Sequence, residues 1–129
     1  MQVSGRKPDW LKVRLPHTPE FNRVAATLAD CRLHSVCREA RCPNIAECFH
    51  SGTATFLILG NVCTRHCLYC NVRHGVPSAP DAGEPARLTE AATRLNLRYV
   101  VITSVTRDDL PDEGAGLFAE CIETLRAGV

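Results

Sequence analysis

The sequence lacks the features that mark membrane-spanning and nucleic-acid-binding proteins. No stretch of its 129 residues approaches the ~18 consecutive apolar residues that a membrane span needs, and residues 1–8 lack the apolar segment of a signal peptide. The sequence also lacks an excess of charge of either sign, because its 15 Lys and Arg nearly balance its 14 Asp and Glu, for a net charge of +1. We therefore predict neither a membrane segment nor a nucleic-acid-binding surface.

The N-terminus also lacks the long Arg- and Ser-rich presequence that directs proteins into organelles. The chain has eight cysteines, and a reducing cytosol keeps thiols free, so a disulfide-rich fold is disfavoured. We expect a soluble, cytoplasmic protein of bacterial type. With 45% hydrophobic residues the chain can bury a single modest core.

Three cysteines are spaced C-x3-C-x2-C in a loop after the apolar run Thr53 to Leu59; this downstream trio consists of Cys63, Cys67 and Cys70. An iron–sulfur cluster normally takes four cysteines and a structural zinc takes four ligands, so three thiols can leave one metal position free for a substrate. We expect the neighbouring Tyr69 to help shield the site. The alternatives are a zinc knuckle completed by His66 or a distant cysteine, and a disulfide-rich loop.

A second set of three cysteines lies just before it, with the spacing C-x4-C-x5-C; this upstream trio consists of Cys37, Cys42 and Cys48. Pro43 breaks any continuous helix through this segment, so the three thiols can converge. Two incomplete sites of three thiols each are therefore predicted. Cys31 and Cys121 lie outside both sets, and we interpret them as small buried hydrophobic residues.

These motifs together resemble those of the lipoyl synthases, a family of radical S-adenosylmethionine (SAM) enzymes. Besides both trios, the resemblance rests on Lys7 to Leu11, Gly52 to Phe56, Glu84-Pro85, Tyr99 to Val105 and Arg107 to Asp112, which together span nearly the whole chain. The sequence departs from the family at Glu113, where a glycine is usual, and at Leu117, where a histidine is usual.

The resemblance implies two [4Fe-4S] clusters and SAM as cofactors. The radical-SAM cluster would be held by the downstream trio, Cys63, Cys67 and Cys70, and the auxiliary cluster by the upstream trio, Cys37, Cys42 and Cys48. The implied reaction inserts two sulfur atoms, supplied by the auxiliary cluster, into an octanoyl chain. Its saturated carbons have no acidic proton and no leaving group, so a 5′-deoxyadenosyl radical derived from SAM is needed to activate them.

The resemblance also implies protein partners. The octanoyl chain would be carried on a lysine of a lipoyl carrier protein, which is the glycine cleavage H protein or the acyltransferase subunit of a 2-oxoacid dehydrogenase. The implied electron donor is a flavodoxin or a ferredoxin. Two alternative functions are another radical-SAM enzyme with an auxiliary iron–sulfur cluster, and a non-catalytic zinc-binding module.

Several polar residues are further candidates. Asp108-Asp109 could contact the carrier or cofactor groups, or could act as solvated turn and helix-capping acids. A second group lies where a strand end could meet SAM: Arg107, Thr103 and Ser104. A third group surrounds the thiols, where positive charge favours thiolate, or simply lies in solvent: Arg38, Arg41 and Arg65.

The predicted fold is α/β, the start of a radical-SAM partial (β/α) barrel in residues 51–129, preceded by a helical, cysteine-bearing N-terminal extension in residues 1–50. The barrel part has strands at Thr53 to Leu59 and Tyr99 to Thr103 and helices at Pro85 to Leu95 and from Ala115. The second strand is a continuous apolar run, as in strands covered on both faces. The second helix has a predicted buried stripe of Phe118, Ala119, Ile122 and Leu125.

In the extension, Thr18 and Pro19 predict a helix start with the threonine as N-cap. The chain is short, because a complete eight-unit barrel takes about 250 residues. In the family the fourth ligand of the auxiliary cluster is a serine in an Arg-Ser-Ser-Tyr motif, and that motif does not occur in this sequence. We therefore expect a truncated N-terminal part of a lipoyl synthase, inactive on its own.

Overall fold

The computed structural model describes residues 5–13 and 15–129. Within them lie a short 3-10 helix (Asp9–Leu11), the helices α1 (Pro19–Asp30), α2 (Val36–Glu39), α3 (Ile45–His50), α4 (Glu84–Arg94) and α5 (Ala115–Gly128), and the strands β1 (His34–Ser35), β2 (Thr55–Ile58) and β3 (Val101–Ser104). The fold is mixed α/β. The predicted strand–helix–strand–helix order is confirmed in β2, α4, β3 and α5, and β1 is an addition that the sequence did not predict.

The strands form one sheet with β2 at its centre. β1 pairs with β2 in antiparallel orientation, with His34 opposite Leu57, and β3 pairs with β2 in parallel orientation, with Thr55 opposite Val101. Helix α4 is the crossover that a parallel pair requires. The carboxyl ends of β2 and β3 therefore meet at the same edge of the sheet.

Helix α1 begins as the sequence predicted. The backbone N–H of Phe21 donates to Thr18 Oγ1 at 3.1 Å, and Pro19 occupies the first helical position. Thr18 is therefore the N-cap. Of the apolar residues in this helix, Val24 and Leu28 are fully buried.

Four of the described helices end in a Schellman turn, in which the residue after the cap is left-handed and the next N–H bonds back five residues. The left-handed residues are Arg32, Arg41, Gly52 and Asn96, with φ between 50° and 71°. In these turns the N–H of Cys42 donates to the carbonyl of Cys37 at 3.0 Å, and the N–H of Thr53 donates to that of Cys48 at 2.8 Å. The chain thus reverses sharply after α2 and again after α3.

The core lies between the sheet and the helices, and both halves of the chain contribute to it. Its large, fully buried side chains include Val24, Leu28, Phe49, Phe56, Ile58 and Leu88. Phe49 of α3 packs against Phe21 of α1, with ring centroids 5.1 Å apart. The division at residues 1–50 and 51–129 stays a prediction, although both parts pack into one hydrophobic cluster.

One prediction about burial is wrong, and the predicted stripe of α5 is confirmed only for Phe118 and Leu125, which pack against the core. β3 is not covered on both faces, since Val101 is 38% exposed, because this strand lies at the edge of the sheet. In α5 the buried face centres on Cys121, whereas Ala119 of the predicted stripe is exposed. Ala119 and Ile122 line an open groove beside the free edge of β3, so they turn away from the core.

Both isolated cysteines are buried as predicted, Cys31 with 2% and Cys121 with 0% of its surface exposed. Burial raises the pKa of the Cys121 thiol to about 11, so this thiol stays protonated at neutral pH. Among residues 5–13 and 15–129, no helix has both the length and the apolar character needed to cross a membrane.

Candidate metal centre

The downstream trio lies on the loop between β2 and α4, at the carboxyl edge of the sheet. The chain leaves β2 through two successive residues with positive φ, Leu59 at 68° and Gly60 at 88°. The loop then closes on itself, because the N–H of Cys63 donates to the carbonyl of Arg73 at 2.8 Å and the N–H of Gly75 donates to the carbonyl of Cys63 at 3.0 Å. The first cysteine is therefore fixed on both sides by the returning chain.

All three cysteines of the downstream trio line one cavity of about 220 Å³. Its other walls come from the ends of β2 and β3, from the cysteine loop and from α2: Val36, Leu57, Tyr69, Val72, Thr103, Ser104, Val105 and Thr106. The predicted position at the carboxyl end of the strands is thus observed. Thr103 and Ser104 face the same cavity as the thiols and stay candidates for contact with SAM.

Tyr69 does not shield the cysteines as predicted. It contributes to the cavity lining, but its side chain is 93% exposed and that of Leu68 is 98% exposed. The physical reason is the tight turn that joins the last two cysteines, closed by a 3.0 Å bond from the N–H of Cys70 to the carbonyl of Cys67. The two side chains between these cysteines project from the tip of the loop into solvent.

The thiol of Cys63 is hydrogen-bonded by the backbone. The N–H of Thr106 lies 3.3 Å from Cys63 Sγ, across from the cysteine loop on the segment after β3. Burial raises the pKa of this thiol, but hydrogen bonds from the backbone of Arg65 and Thr106 outweigh that effect, so its pKa lies below the ordinary 9.0. A lowered pKa favours the thiolate, which is the form that binds metals.

Asp108 ties the cysteine loop to the segment after β3. Its carboxylate accepts a bidentate pair from Arg65, at 2.9 and 3.0 Å, and lies 2.7 Å from Thr64 Oγ1. These bonds from Arg65 first, and then from Thr64, hold the pKa of Asp108 below its ordinary value. Asp108 therefore bridges the loop to the segment after β3. Its side chain also stays partly exposed in a turn, as the solvated-turn interpretation predicts, and its contact with a carrier or cofactor stays a prediction.

Arg107 is buried beneath the loop, with 1% of its surface exposed. It donates to the carbonyls of Leu59 at 3.0 Å and Ser78 at 2.8 Å, and twice to Asp109 at 2.9 Å. Four of the five guanidinium donors are thus engaged within the protein. The predicted contact of Arg107 with SAM is wrong, because the chain after β3 turns under the loop. The carboxylate of Asp109 is likewise paired, but it stays partly exposed in the same turn as Asp108, and its ligand-contacting role stays a prediction.

The upstream trio is brought together by α2 and α3. Cys37 is buried in α2, and the chain breaks around Pro43 before α3 begins, as predicted. The pKa of Cys48 is raised by burial and then by the nearby thiols of Cys37 and Cys42. The thiol of Cys48 therefore lies near those of both Cys37 and Cys42.

Helix α2 lies between the two trios. Val36 in its first turn lines the cavity of the downstream trio, while the next residue, Cys37, belongs to the upstream trio. Asn71 of the cysteine loop donates to the carbonyl of Ala40 at 3.5 Å, at the end of the same helix. The two sets of thiols thus flank one short helix.

The donor set fits iron–sulfur chemistry, since each set consists of thiols, the usual ligands of such clusters. All eight cysteines are free thiols in this structure, which does not favour the disulfide alternative. Among the described residues, no three His, Cys, Asp or Glu side chains converge tightly enough to hold a single metal ion. His66 stacks on His74, with ring centroids 3.6 Å apart, and its role as a zinc ligand stays a prediction.

The sequence reasoning missed two carboxylates that shape this edge of the sheet. Glu84 is 5% exposed, and its Oε2 accepts the N–H of Leu59 at 2.9 Å; burial raises its pKa. Asp112 caps α5 by accepting the N–H groups of Gly114 at 3.0 Å and Gly116 at 2.9 Å. Both carboxylates could have been found from the sequence. Glu84 stands before a proline at a helix start, and Asp112 stands shortly before a helix.

Two family models match the sequence. The Radical SAM superfamily matches residues 57–128, and the N-terminal domain of lipoyl synthase of the radical SAM family matches residues 2–42. Three curated relatives carry the name lipoyl synthase. Those of Methylococcus capsulatus, Pelobacter propionicus and Stutzerimonas stutzeri are 60%, 57% and 54% identical over 94%, 93% and 94% of this chain. The chain covers only 37% to 38% of their own length.

Proposed function

The chain belongs to the radical SAM superfamily, and we propose that it is the N-terminal part of a lipoyl synthase. The observation that carries the proposal is the shared cavity of the downstream trio at the carboxyl ends of two parallel strands. The similarity to curated lipoyl synthases over 94% of the chain supports the same function. The proposed activity is that of a whole lipoyl synthase, because such relatives are more than twice as long as this chain.

We assign the radical-SAM [4Fe-4S] cluster to Cys63, Cys67 and Cys70. When bound, this cluster supplies the electron that cleaves SAM and so generates the radical that removes hydrogen from a saturated carbon. The protein contributes thiolates, since the N–H of Thr106 favours the charged form of Cys63. It also contributes apolar walls such as Leu57 and Val105, both nearly fully buried, which limit access of water.

We assign the auxiliary [4Fe-4S] cluster, the source of the inserted sulfur, to Cys37, Cys42 and Cys48. Two features support this. The turn after α2 bonds the N–H of Cys42 to the carbonyl of Cys37, and the thiol of Cys48 lies near both of them. Helix α2 also contacts both sets of cysteines. Sulfur held next to the cavity of the downstream trio is close to where a substrate carbon would be activated.

The proposed substrate is an octanoyl chain on a lysine of a lipoyl carrier protein, either the glycine cleavage H protein or the acyltransferase subunit of a 2-oxoacid dehydrogenase. The proposed electron donor is a flavodoxin or ferredoxin, and the proposed location is the cytoplasm. The polar side chains of Thr103 and Ser104 are proposed to contact SAM, because they line the cavity beside the thiols. The parallel pair of β2 and β3 with α4 and α5 is proposed to start a partial (β/α) barrel.

Anaerobic reconstitution with iron and sulfide tests the cluster assignment on this chain. We expect about eight irons and matching sulfide on six thiols. Two zinc ions without sulfide would instead support the zinc-binding module and contradict the proposal.

A chimera tests the activity. This chain would replace the matching N-terminal segment of a curated lipoyl synthase, which supplies the remaining length. We expect release of 5′-deoxyadenosine that depends on an octanoylated carrier, and formation of the lipoyl group. Release that is independent of the octanoyl group would instead favour another radical-SAM enzyme.

A further inference from the structure

The two ends of the cysteine loop meet at one side chain. Residues 60–77 carry the downstream trio, and the residues that flank this segment are Leu59 and Ser78. The guanidinium of Arg107 donates to the carbonyl of Leu59 through Nη1 at 3.0 Å and to the carbonyl of Ser78 through Nη2 at 2.8 Å. A single buried cation therefore closes the loop at its base.

The start of the loop is held in a conformation that a leucine rarely adopts. Leu59 has a φ of 68° although it is 2% exposed. Such a left-handed residue persists only where its surroundings determine it strongly, and such positions cluster at functional sites. Here Glu84 accepts the N–H of Leu59 at 2.9 Å, while Arg107 donates to its carbonyl. Two buried side chains of opposite charge thus fix the residue from which the loop departs.

Asp109 completes the arrangement by orienting Arg107. Its carboxylate accepts from Nε and Nη2 of the guanidinium, both at 2.9 Å, and this pairing raises the pKa of Arg107 further above its ordinary value. A bidentate pair fixes the plane of the guanidinium. With that plane fixed, the remaining donors are aimed at the two carbonyls.

We propose that Arg107 is a positioning residue that closes the base of the cysteine loop and so pre-arranges the downstream trio for its cluster. The inference rests on the proposed function, because it assumes that this trio holds the cluster. A lysine could keep the charge but could not reach two carbonyls and a carboxylate at once, since it lacks the planar fork of donors. The relevant substitution is therefore Arg107→Lys.

The first test uses the metal-free chain and hydrogen exchange of peptides within residues 60–77. Arg107→Lys is expected to speed exchange there about tenfold or more, because each hydrogen bond to a charged group shifts a local opening equilibrium by about that factor. Exchange in α1 should change less than about twofold. The milder Asp109→Asn should give an intermediate increase and remains informative if Arg107→Lys does not fold.

Arg87→Lys is the matched control. Arg87 is also largely buried, and it also donates to a backbone carbonyl, that of Cys31 at 2.9 Å, and to a carboxylate, that of Asp81 at 2.7 Å. It does not bond to either end of the loop. Equal loop exchange in Arg87→Lys and Arg107→Lys, or unchanged loop exchange in both Arg107→Lys and Asp109→Asn, would overturn the proposal.

The second test measures how fast iron leaves the reconstituted downstream trio, in a Cys42→Ala background that disables the upstream trio. Arg107→Lys should release iron to a chelator about tenfold faster than the background, and Arg87→Lys at the background rate. Equal release from all three proteins would contradict the inference alone. If the background chain takes up no iron and sulfide, the proposed function fails instead, while the exchange result on the metal-free chain still decides whether Arg107 positions the loop.

Discussion

The two cysteine trios are held by different physical means. In the upstream trio, Cys37 and Cys48 lie within short helices that end in Schellman turns, and α3 is packed into the core through Phe49. The downstream trio lies on an irregular loop held by side-chain bonds from Arg107 and Asp108. We therefore expect the upstream site to depend on folding of the core, and the downstream site to loosen without unfolding of the protein.

The largest expected effect is the loss of one cluster by removal of a single thiol. Cys67→Ala should lower the iron content of the reconstituted chain from about eight to about four, because two thiols hold a cluster poorly. Cys42→Ala should remove the other four. The measurement is iron and acid-labile sulfide per chain.

Cys121→Ala is the control for these substitutions. Its thiol is fully buried in α5, a helix that carries neither trio, so iron content should not change and only about 1 kcal/mol of stability should be lost. If Cys121→Ala lost as much iron as Cys67→Ala, the assignment of ligands would be contradicted.

The second expected effect separates the trios by their dependence on the core. Phe49→Ala should reduce the free energy of unfolding by about 3–5 kcal/mol, because it removes a fully buried ring beside the upstream trio. Tyr69→Ala removes a ring that is 93% exposed, so its effect should stay within about 0.5 kcal/mol. Urea unfolding of both variants measures the difference. If both variants lost a similar free energy of unfolding, the cysteine loop that carries Tyr69 would be part of the folded core.

Local patterns were enough to predict much of this arrangement. The strand around Phe56, the N-cap Thr18 and the helix break at Pro43 each depend on a few neighbouring residues, and the structure agrees with them. What a segment meets across the molecule is not encoded locally. From its place in the sequence, Arg107 is interpreted as a strand-end residue that faces a ligand. Only the path of the chain after β3 shows that it is buried.

The same limit applies to the two misjudged elements. β1 has two residues, His34–Ser35, which is too few for any periodic pattern to appear. In α5, several faces carry apolar residues, so the position of the neighbouring elements decides that Cys121 rather than Ala119 faces the core.

The third expected effect is a greater sensitivity of the downstream region to acid. Three aspartates on the segment after β3 have a pKa below the ordinary 3.8: Asp108, Asp109 and Asp112, held there chiefly by Arg65, Arg107 and the N–H of Gly116 respectively. A lowered pKa in the folded state gives stability that is complete above pH 3.8 and is lost as the pH falls through the folded value. The urea midpoint should therefore drop between pH 5 and about pH 2.

Glu84 contributes a pH dependence of the opposite sign. Burial raises its pKa above 4.5, so its contribution is complete below that pH and is lost as the pH rises through its folded value. Asp108→Asn should flatten the acid limb, since an amide does not titrate. If the urea midpoint of Asp108→Asn fell with decreasing pH as steeply as that of the unsubstituted chain, Asp108 would contribute nothing to the acid sensitivity.

The smallest expected effect concerns backbone strain in the supports of the two trios. Arg41 follows α2 with a φ of 52°, and Glu113 precedes α5 with a φ of 54°; both lie in the left-handed region that favours glycine. Arg41→Gly and Glu113→Gly should each raise the free energy of unfolding by about 0.5–1 kcal/mol, because relief of the strain exceeds the added entropy of the unfolded chain. Arg38→Gly, inside α2, should lower it by a similar amount, about 0.5–1 kcal/mol. Arg41→Gly should slow hydrogen exchange in α2 and α3 and leave the exchange of residues 60–77 unaffected. Glu113→Gly should affect the exchange of residues 60–77, since Glu113 lies on the segment that supports the downstream loop. Equal protection of both regions by either variant would mean that the two trios share one support.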